Sequence, residues 1–300
     1  MRMAAIEEKL TKDFNSIKQI LVKRMTKAGS YSTPISALSL HRIEQTNTPS
    51  NCFNKPIIAM TIQGEKRTIV GNKEFKYGAG HALLAGIDMP NMSYITKATK
   101  DNPYLVMTLE LDSHLISLLS EQMPPIHSDV VEQGAVVIKT ESALLNAFYR
   151  LAELLDNPEH VPLLSPVILQ EIHVHLLLSP YGQLLQSINT HGTQSNKIFQ
   201  SINWLRGHFE EPLNVDDISD RVHMAPSTFR KHFKAITTMS PTEYHKQLRL
   251  YQAKRLMLQD KVDVTTACFQ VGYENLSQFN REYKKLFDHT PKQSITFISE

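Results

Sequence analysis

Thiols are scarce in this 300-residue chain: Cys52 and Cys268 are its only cysteines. Two cysteines exclude a multi-bridge disulfide framework and a four-thiolate zinc site, and they fit a reducing compartment such as the cytoplasm. Net charge is also small, +2 overall, so the whole chain does not announce itself as a polyanion binder. No run of residues reads as the ~18 apolar positions of a membrane-spanning helix. The first residues carry Glu7, Glu8, Lys9, Lys12 and Asp13, which excludes the apolar core of a secretory leader. Catalytic signatures are missing as well: there is no G-x-S-x-G, no H-E-x-x-H and no phosphate-cradling glycine loop. No enzyme activity and no cofactor are therefore expected.

What is present is a hydrophobic fraction of 41% with 21% charged residues, the composition of a folded chain large enough for two domains. From about 35 to 112 it reads as short strands. Segments 56–63, 68–70, 82–85, 93–98 and 104–111 are rich in Ile, Val, Leu, Thr and Tyr, and Gly64, Gly78, Gly86, Pro90 and Pro103 punctuate them. Many short strands suggest a barrel or sandwich, and Leu83–Leu84–Ala85–Gly86 reads as a strand buried on both faces. Beyond Leu111 the period becomes helical, with apolar stripes at Leu144, Leu145, Phe148 and Leu151 and at Ile168, Ile172 and Leu176. These stripes serve packing on the β unit and a dimer seam.

The C-terminal third is all helical in pattern and holds a weak repeat offset by 50 residues: Ser227–Lys234 aligns with Ser277–Lys284. Phe229 and Phe233, like Phe279 and Tyr283, are four apart and share one inward face. The opposite faces carry Ser227, Thr228, Arg230, Lys231 and Lys234 in the first copy and Ser277, Gln278, Asn280, Arg281 and Lys284 in the second, with Asn275 just ahead. These faces are polar and cationic, the pattern of a surface meeting phosphates and base edges. Arg230 and Arg281 suit guanine, Gln278 and Asn280 suit adenine, and Lys234 and Lys284 suit phosphate. Residues 196–300 hold 15 Lys+Arg against 12 Asp+Glu. Each copy follows a short helix and a turn, capped by Asn214 and by Asp263. Between the copies, 241–259 reads as one helix of ~27 Å, close to the ~34 Å that separates successive major grooves.

At these residues, above all "ACFQVGYENLSQFNREYKKLFDHTP" (267–291) and "QLRLYQAKRLML" (247–258), the sequence resembles the AraC/XylS family of bacterial transcription regulators. "TIQGEKRTIVGNKEFKYGAGHALLAGIDMP" (61–90), "NPYLVMTLELD" (102–112) and "EIHVHLLLSPYGQLL" (171–185) resemble the regulatory domain of one branch. The resemblance implies an α+β chain with three parts. These are a helical segment over 1–30, a cupin-like β-barrel domain with trailing helices over 31–190, and a double helix–turn–helix domain over 196–300. It implies a sequence-specific regulator whose partners are double-stranded DNA, a small-molecule effector, a second copy of the chain and, for an activator, RNA polymerase. Tyr77, His81, Met89, Met92 and Tyr94 are read as effector-lining. No metal site is read: His173 and His175 point apart on a helix, and His81 stands alone. The chain departs from the family at His223 and Asp288, where glycine is usual, and at Ala225, where a capping serine is usual. Two competing readings have definite requirements. A cupin-type enzyme needs a metal cage or a catalytic pair in 35–112, and a protein-binding adaptor needs a partner whose binding ignores salt.

Overall fold

A computed structural model describes residues 2–47, 50–70, 73–124 and 134–299. The chain opens with helix α1 (Arg2–Arg24) and continues into β1 (Gly29–Ser32), β2 (Leu38–Ile43), β3 (Ser50–Asn54), β4 (Ile57–Gln63) and β5 (Glu65–Val70). β6 (Lys73–Gly78), β7 (His81–Ala85), β8 (Met89–Lys97) and β9 (Tyr104–Glu110) follow. Then come α2 (Ser113–Ser120), β10 (Ala135–Lys139), α3 (Ser142–Glu153), α4 (Val161–Leu178) and α5 (Gly182–Asn189).

The strands form two antiparallel sheets, in the orders β1-β2-β9-β4-β7-β10 and β3-β8-β5-β6. The expected strands are all there, and β7 is buried at four of its five positions, as its unbroken apolar run predicts. Pro90 was read as a turn but lies inside β8, opposite Phe53 of β3. That half of β8 pairs only with β3, because β5 joins β8 from Met92 onward. The missing N–H of Pro90 therefore costs the ladder little. The helical reading after Leu111 missed β10, which pairs with β7 from Ala135↔Ala85 to Lys139↔His81. Only five residues long, it carries no alternation strong enough to stand out from the helices around it.

α1, α3, α4 and α5 pack along one side of the larger sheet, burying Ile17, Leu21, Leu145, Phe148, Ile172 and Leu176 together with Met60, Leu84 and Met107. By length and composition, Pro158–Leu178 is apolar enough to cross a membrane, with a mean hydropathy of 1.5. This corrects the expectation that no stretch reaches that mark. In this structure one face of α4 is buried in the helical layer, while Leu163, Val167 and Leu178 are exposed on another.

The last third holds α6 (Gln194–Gly207), α7 (Val215–Arg221), α8 (Pro226–Thr237), α9 (Pro241–Leu258), α10 (Val264–Gln270), α11 (Leu276–Phe287) and α12 (Pro291–Ser299). Two different cores support it. The first joins Phe229, Phe233, Ile218, Tyr244 and Leu248 to Ile198 and Ile202 of α6, to Ile188 of α5, and onward to Ile87 and Met89 beside the barrel. The second is local: Leu250, Ala253 and Met257 of α9 close over Ala267, Cys268, Val271, Phe279 and Tyr283. The first helix–turn–helix unit thus shares its interior with the N-terminal half of the chain, whereas the second has its own.

Candidate nucleic-acid interface and regulatory cavity

The repeat is a structural one. α8 and α11 begin 50 residues apart, but α7 and α10 begin only 49 apart, so the second turn is one residue longer. The difference has a local chemical result. Asn275, at the end of the longer turn, caps α11 by accepting from the N–H of Ser277 at 2.8 Å and of Gln278 at 3.0 Å. Ala225, at the corresponding place before α8, gives its helix no side-chain cap. The first turn also puts His223 at φ 51°, in the left-handed region, where Gly272 serves the second turn at φ 82°. A Cβ at Gly272 would run into the carbonyl of Glu210. Thr238 and Asp288 end α8 and α11 in the same left-handed conformation, so the departure at Asp288 is accommodated at a strained residue.

The aromatic pairs face inward as the spacing predicts: Phe229, Phe233, Phe279 and Tyr283 are fully buried. Ser227, Thr228, Arg230, Lys231, Lys234, Asn275, Ser277, Gln278, Arg281 and Lys284 are exposed, and Asn280 is half-buried. Lys231, Lys234, Arg281 and Lys284 make no side-chain hydrogen bond or ion pair among the described residues, so their charge is available to a ligand. Three residues are already engaged. The Asn275 carbonyl oxygen is committed to its cap, Gln278 donates to Glu282 at 3.3 Å, and Arg230 is paired with Asp216 at 2.9 Å. Asp216 thus reaches the flank of the cationic face from α7.

α9 sets the spacing. Its 18 residues span ~27 Å, and its buried face carries Tyr244, His245 and Leu248 toward one unit and Ala253 and Met257 toward the other. Arg249 fixes the α6–α7 loop to it, donating to the carbonyls of Phe209 at 2.6 Å, Glu210 at 2.9 Å and Glu211 at 2.7 Å. His245, buried beside Arg249, is pushed down to about 4 by desolvation and by that guanidinium.

Contacts between the N-terminal half and the first unit are specific. Arg206 of α6 pairs with Asp88, in the β7–β8 connection, at 2.7 Å, and the Asp88 carboxylate is only 2% exposed. Tyr244 donates its hydroxyl to the Asp88 carbonyl at 2.9 Å. The N–H of Gly134 donates to the carbonyl of Ile236 in α8 at 2.9 Å. Phe53 of β3 packs edge-on against Tyr244 and tilted against Tyr251. Sequence reading missed this junction. Its polar members lie 118 and 156 residues apart, and no short motif signals such a pairing.

Between the two sheets lies a cavity of about 750 Å³ walled by Ile57, Ala59, Leu83, Tyr104 and Val106, with His41 and Lys66 among its polar members. Burial and the neighbouring Lys66 hold His41 neutral by lowering its pKa. Of the five effector-lining expectations, Tyr94 borders this cavity. Tyr77 and His81 border a separate hollow near Gly64 and Lys97, and the Tyr77 hydroxyl pairs with that of Thr68 at 3.1 Å. Met89 is core, and Met92 stands half-buried on β8. The alternation of β5 was the available signal: Lys66 and Thr68 share a face, and Arg67 takes the other, where it donates to the Tyr94 hydroxyl at 2.7 Å.

Cys268 is buried core. Cys52 lies in β3, and its side chain is outside the described residues. His173 is a structural residue: Nε2 accepts from the N–H of Asp112 at 3.0 Å while Nδ1 faces the Leu169 carbonyl at 2.7 Å. Among the described residues, no three His, Cys, Asp or Glu side chains gather as a metal cage.

Residues 34–184 match the family model of the AraC-type transcriptional regulator N-terminus, and residues 218–295 match a helix-turn-helix domain model. The transcriptional activator RhaS of Pectobacterium carotovorum is 26% identical over 148 residues, which is 49% of this chain and 50% of RhaS. The transcriptional regulator ExsA of Pseudomonas aeruginosa is 23% identical over 208 residues, 67% of this chain and 73% of ExsA. The chain thus spans about half the length of the RhaS relatives it matches. Among solved structures, apo ToxT of Vibrio cholerae superposes with a TM-score of 0.59 at 13% identity, covering 86% of this chain and 96% of that one. ToxT bound to an unsaturated fatty acid gives 0.56 at 13% identity, covering 86% and 94%. At that identity the likeness is one of fold. The matched regulatory half, the double helix–turn–helix that follows it and these relatives agree: the chain belongs to the AraC family of transcriptional regulators.

Proposed function

We propose that this chain is a cytoplasmic, sequence-specific regulator that lays α8 and α11 into successive major grooves of duplex DNA, with α9 setting the interval. The observation that carries the reading is the pair of exposed cationic faces, each backed by two buried aromatics and held about one helix length apart. In this reading residues 196–300 form the DNA-binding domain, residues 31–190 the effector and dimerisation domain, and residues 1–30 a helical extension. Arg281 and Arg230 read bases, with Asp216 orienting Arg230, while Lys231, Lys234 and Lys284 hold phosphates. Ser227, Thr228, Asn275, Ser277, Gln278 and Asn280 complete the contact surface.

The cavity between the sheets takes a small effector with an apolar body and a polar end near Lys66, consistent with the fatty acid seen in ToxT. The exposed Leu163, Val167 and Leu178 on α4 meet a second copy of the chain. RNA polymerase joins the complex where the regulation is activation. Genomic footprinting with purified protein tests DNA reading directly. On the site so found, Arg281→Ala weakens specific binding by ~1–3 kcal/mol and relaxes the sequence there. Lys284→Ala weakens all duplexes alike and flattens the salt dependence. Unchanged specific affinity in Arg281→Ala removes that residue from the readers, and binding that ignores salt overturns the DNA reading.

A further inference from the structure

On the far side of the larger sheet from the effector cavity, the end of β10, the start of α3 and the α4–α5 turn enclose a second cavity of about 560 Å³. Its walls are apolar at Leu10, Leu144, Pro180 and Tyr181. Two independent features give it a polar end. α3 starts there with no side-chain cap, so the N–H groups of Ser142 and Ala143 present the positive end of a 12-residue helix. Thr140, in the same wall, is 3% exposed, and its hydroxyl has no hydrogen-bond partner. A buried hydroxyl without a partner costs more than a satisfied one, and a ligand oxygen at this end would supply the acceptor. The neighbouring charges do not oppose an anion decisively. Glu171, near His175, is already paired with Arg150, and exposed Glu141 is balanced by exposed Lys139 one residue before Thr140.

We propose that this cavity is a second small-molecule site of the regulatory half, separate from the cavity between the sheets, and that it takes a carboxylate carrying a compact apolar group. The carboxylate accepts from the Ser142 and Ala143 N–H groups and from the Thr140 hydroxyl. The apolar group lies against Leu10, Leu144 and Tyr181.

Isothermal titration of the full-length protein with 3-phenylpropionate and with its uncharged amide, 3-phenylpropionamide, tests this. The carboxylate is expected to bind at least tenfold more tightly than the amide. Thr140→Val, which keeps the side-chain shape, weakens it about tenfold. Ser142→Pro, tolerated at a first helical position, removes one donor and also weakens it. Glu141→Gln leaves binding equal or tighter. Binding of the amide as tightly as the carboxylate overturns the assignment, as does weaker binding in Glu141→Gln. Carboxylate affinity unchanged in both Thr140→Val and Ser142→Pro places the ligand elsewhere and overturns it too. Absence of carboxylate binding at millimolar concentration does the same.

Discussion

Arg206→Ala probes the junction between the N-terminal half and the first helix–turn–helix unit, and the sign of its effect follows from the burial of Asp88. The substitution strands the Asp88 carboxylate, which is 2% exposed and otherwise paired at 2.7 Å. Removing one member of a fully buried pair costs ~3–5 kcal/mol. Arg206 itself is 38% exposed, so water screens the pair, and about half of that, roughly 2 kcal/mol, is expected. For a chain of this size the loss lowers Tm by about 3 °C. Burial raises the Asp88 pKa above the ordinary carboxylate value even with Arg206 beside it, and it rises further once Arg206 is gone. A raised carboxyl pKa penalises the folded state fully above the folded value, and the penalty disappears as pH falls toward the unfolded value. The Tm deficit of Arg206→Ala is therefore expected in full at pH 8 and to shrink as Asp88 takes up its proton on acidification. Asp88→Asn, which keeps an acceptor for Arg206 and has no charge to bury, is expected to cost less than Arg206→Ala at pH 8. Calorimetry of the three proteins across pH is the assay. A deficit that does not change with pH, or an Asp88→Asn as damaging as Arg206→Ala, refutes the electrostatic account.

Ala225→Ser gives α8 the cap it lacks and is expected to raise stability by about 1 kcal/mol, read as a Tm gain, because Ala225 already has the extended backbone of a cap residue. His245, held neutral by burial and Arg249 with its pKa pushed down to about 4, contributes stability that is present above its ordinary pKa. That stability is lost as pH falls from ~6.5 through the lowered value, about 3 kcal/mol in all. His245→Leu is expected to flatten the acid limb of a pH–Tm curve, and an unchanged limb contradicts this. Gly272→Ala combines a left-handed backbone with a Cβ directed into the Glu210 carbonyl and is expected to cost about 2 kcal/mol or more. Chemical denaturation measures that loss.

The legible part of this chain was its periodic part. Four-residue spacing of Phe229 with Phe233 and of Phe279 with Tyr283 fixed the inward faces of α8 and α11, and with them the cationic surfaces opposite. Strands with unbroken apolar runs, such as β7, stood out equally well. Illegible features depended on partners distant in sequence. β10 is a strand because β7 needs a neighbour, and its own five residues do not say so. Which face of β8 turns inward was not decided by listing Tyr94 and Met92 as aromatic and apolar; it follows from the register with β5, in which Arg67 sits opposite Tyr94. Asp216 looked remote from the first cationic face in the linear chain, yet the tight α7–α8 turn folds it back to Arg230.

The unequal foundations of the two helix–turn–helix units make this molecule divisible at one place and not at another. A cut in the 190–193 loop would lay open Ile198 and Ile202, whose company is Ile188 and the barrel-side residues. The freed fragment would carry a sticky flank on its leading half. A splice near Asp260, after α9, instead leaves Ala267, Cys268, Val271 and Phe279 packed with one another and parts them from the tail of that helix and from Phe209 of the α6–α7 loop. Chimeras that exchange the trailing helix–turn–helix while keeping the end of α9 should therefore be well behaved, and those that transplant the leading one must bring the barrel with it.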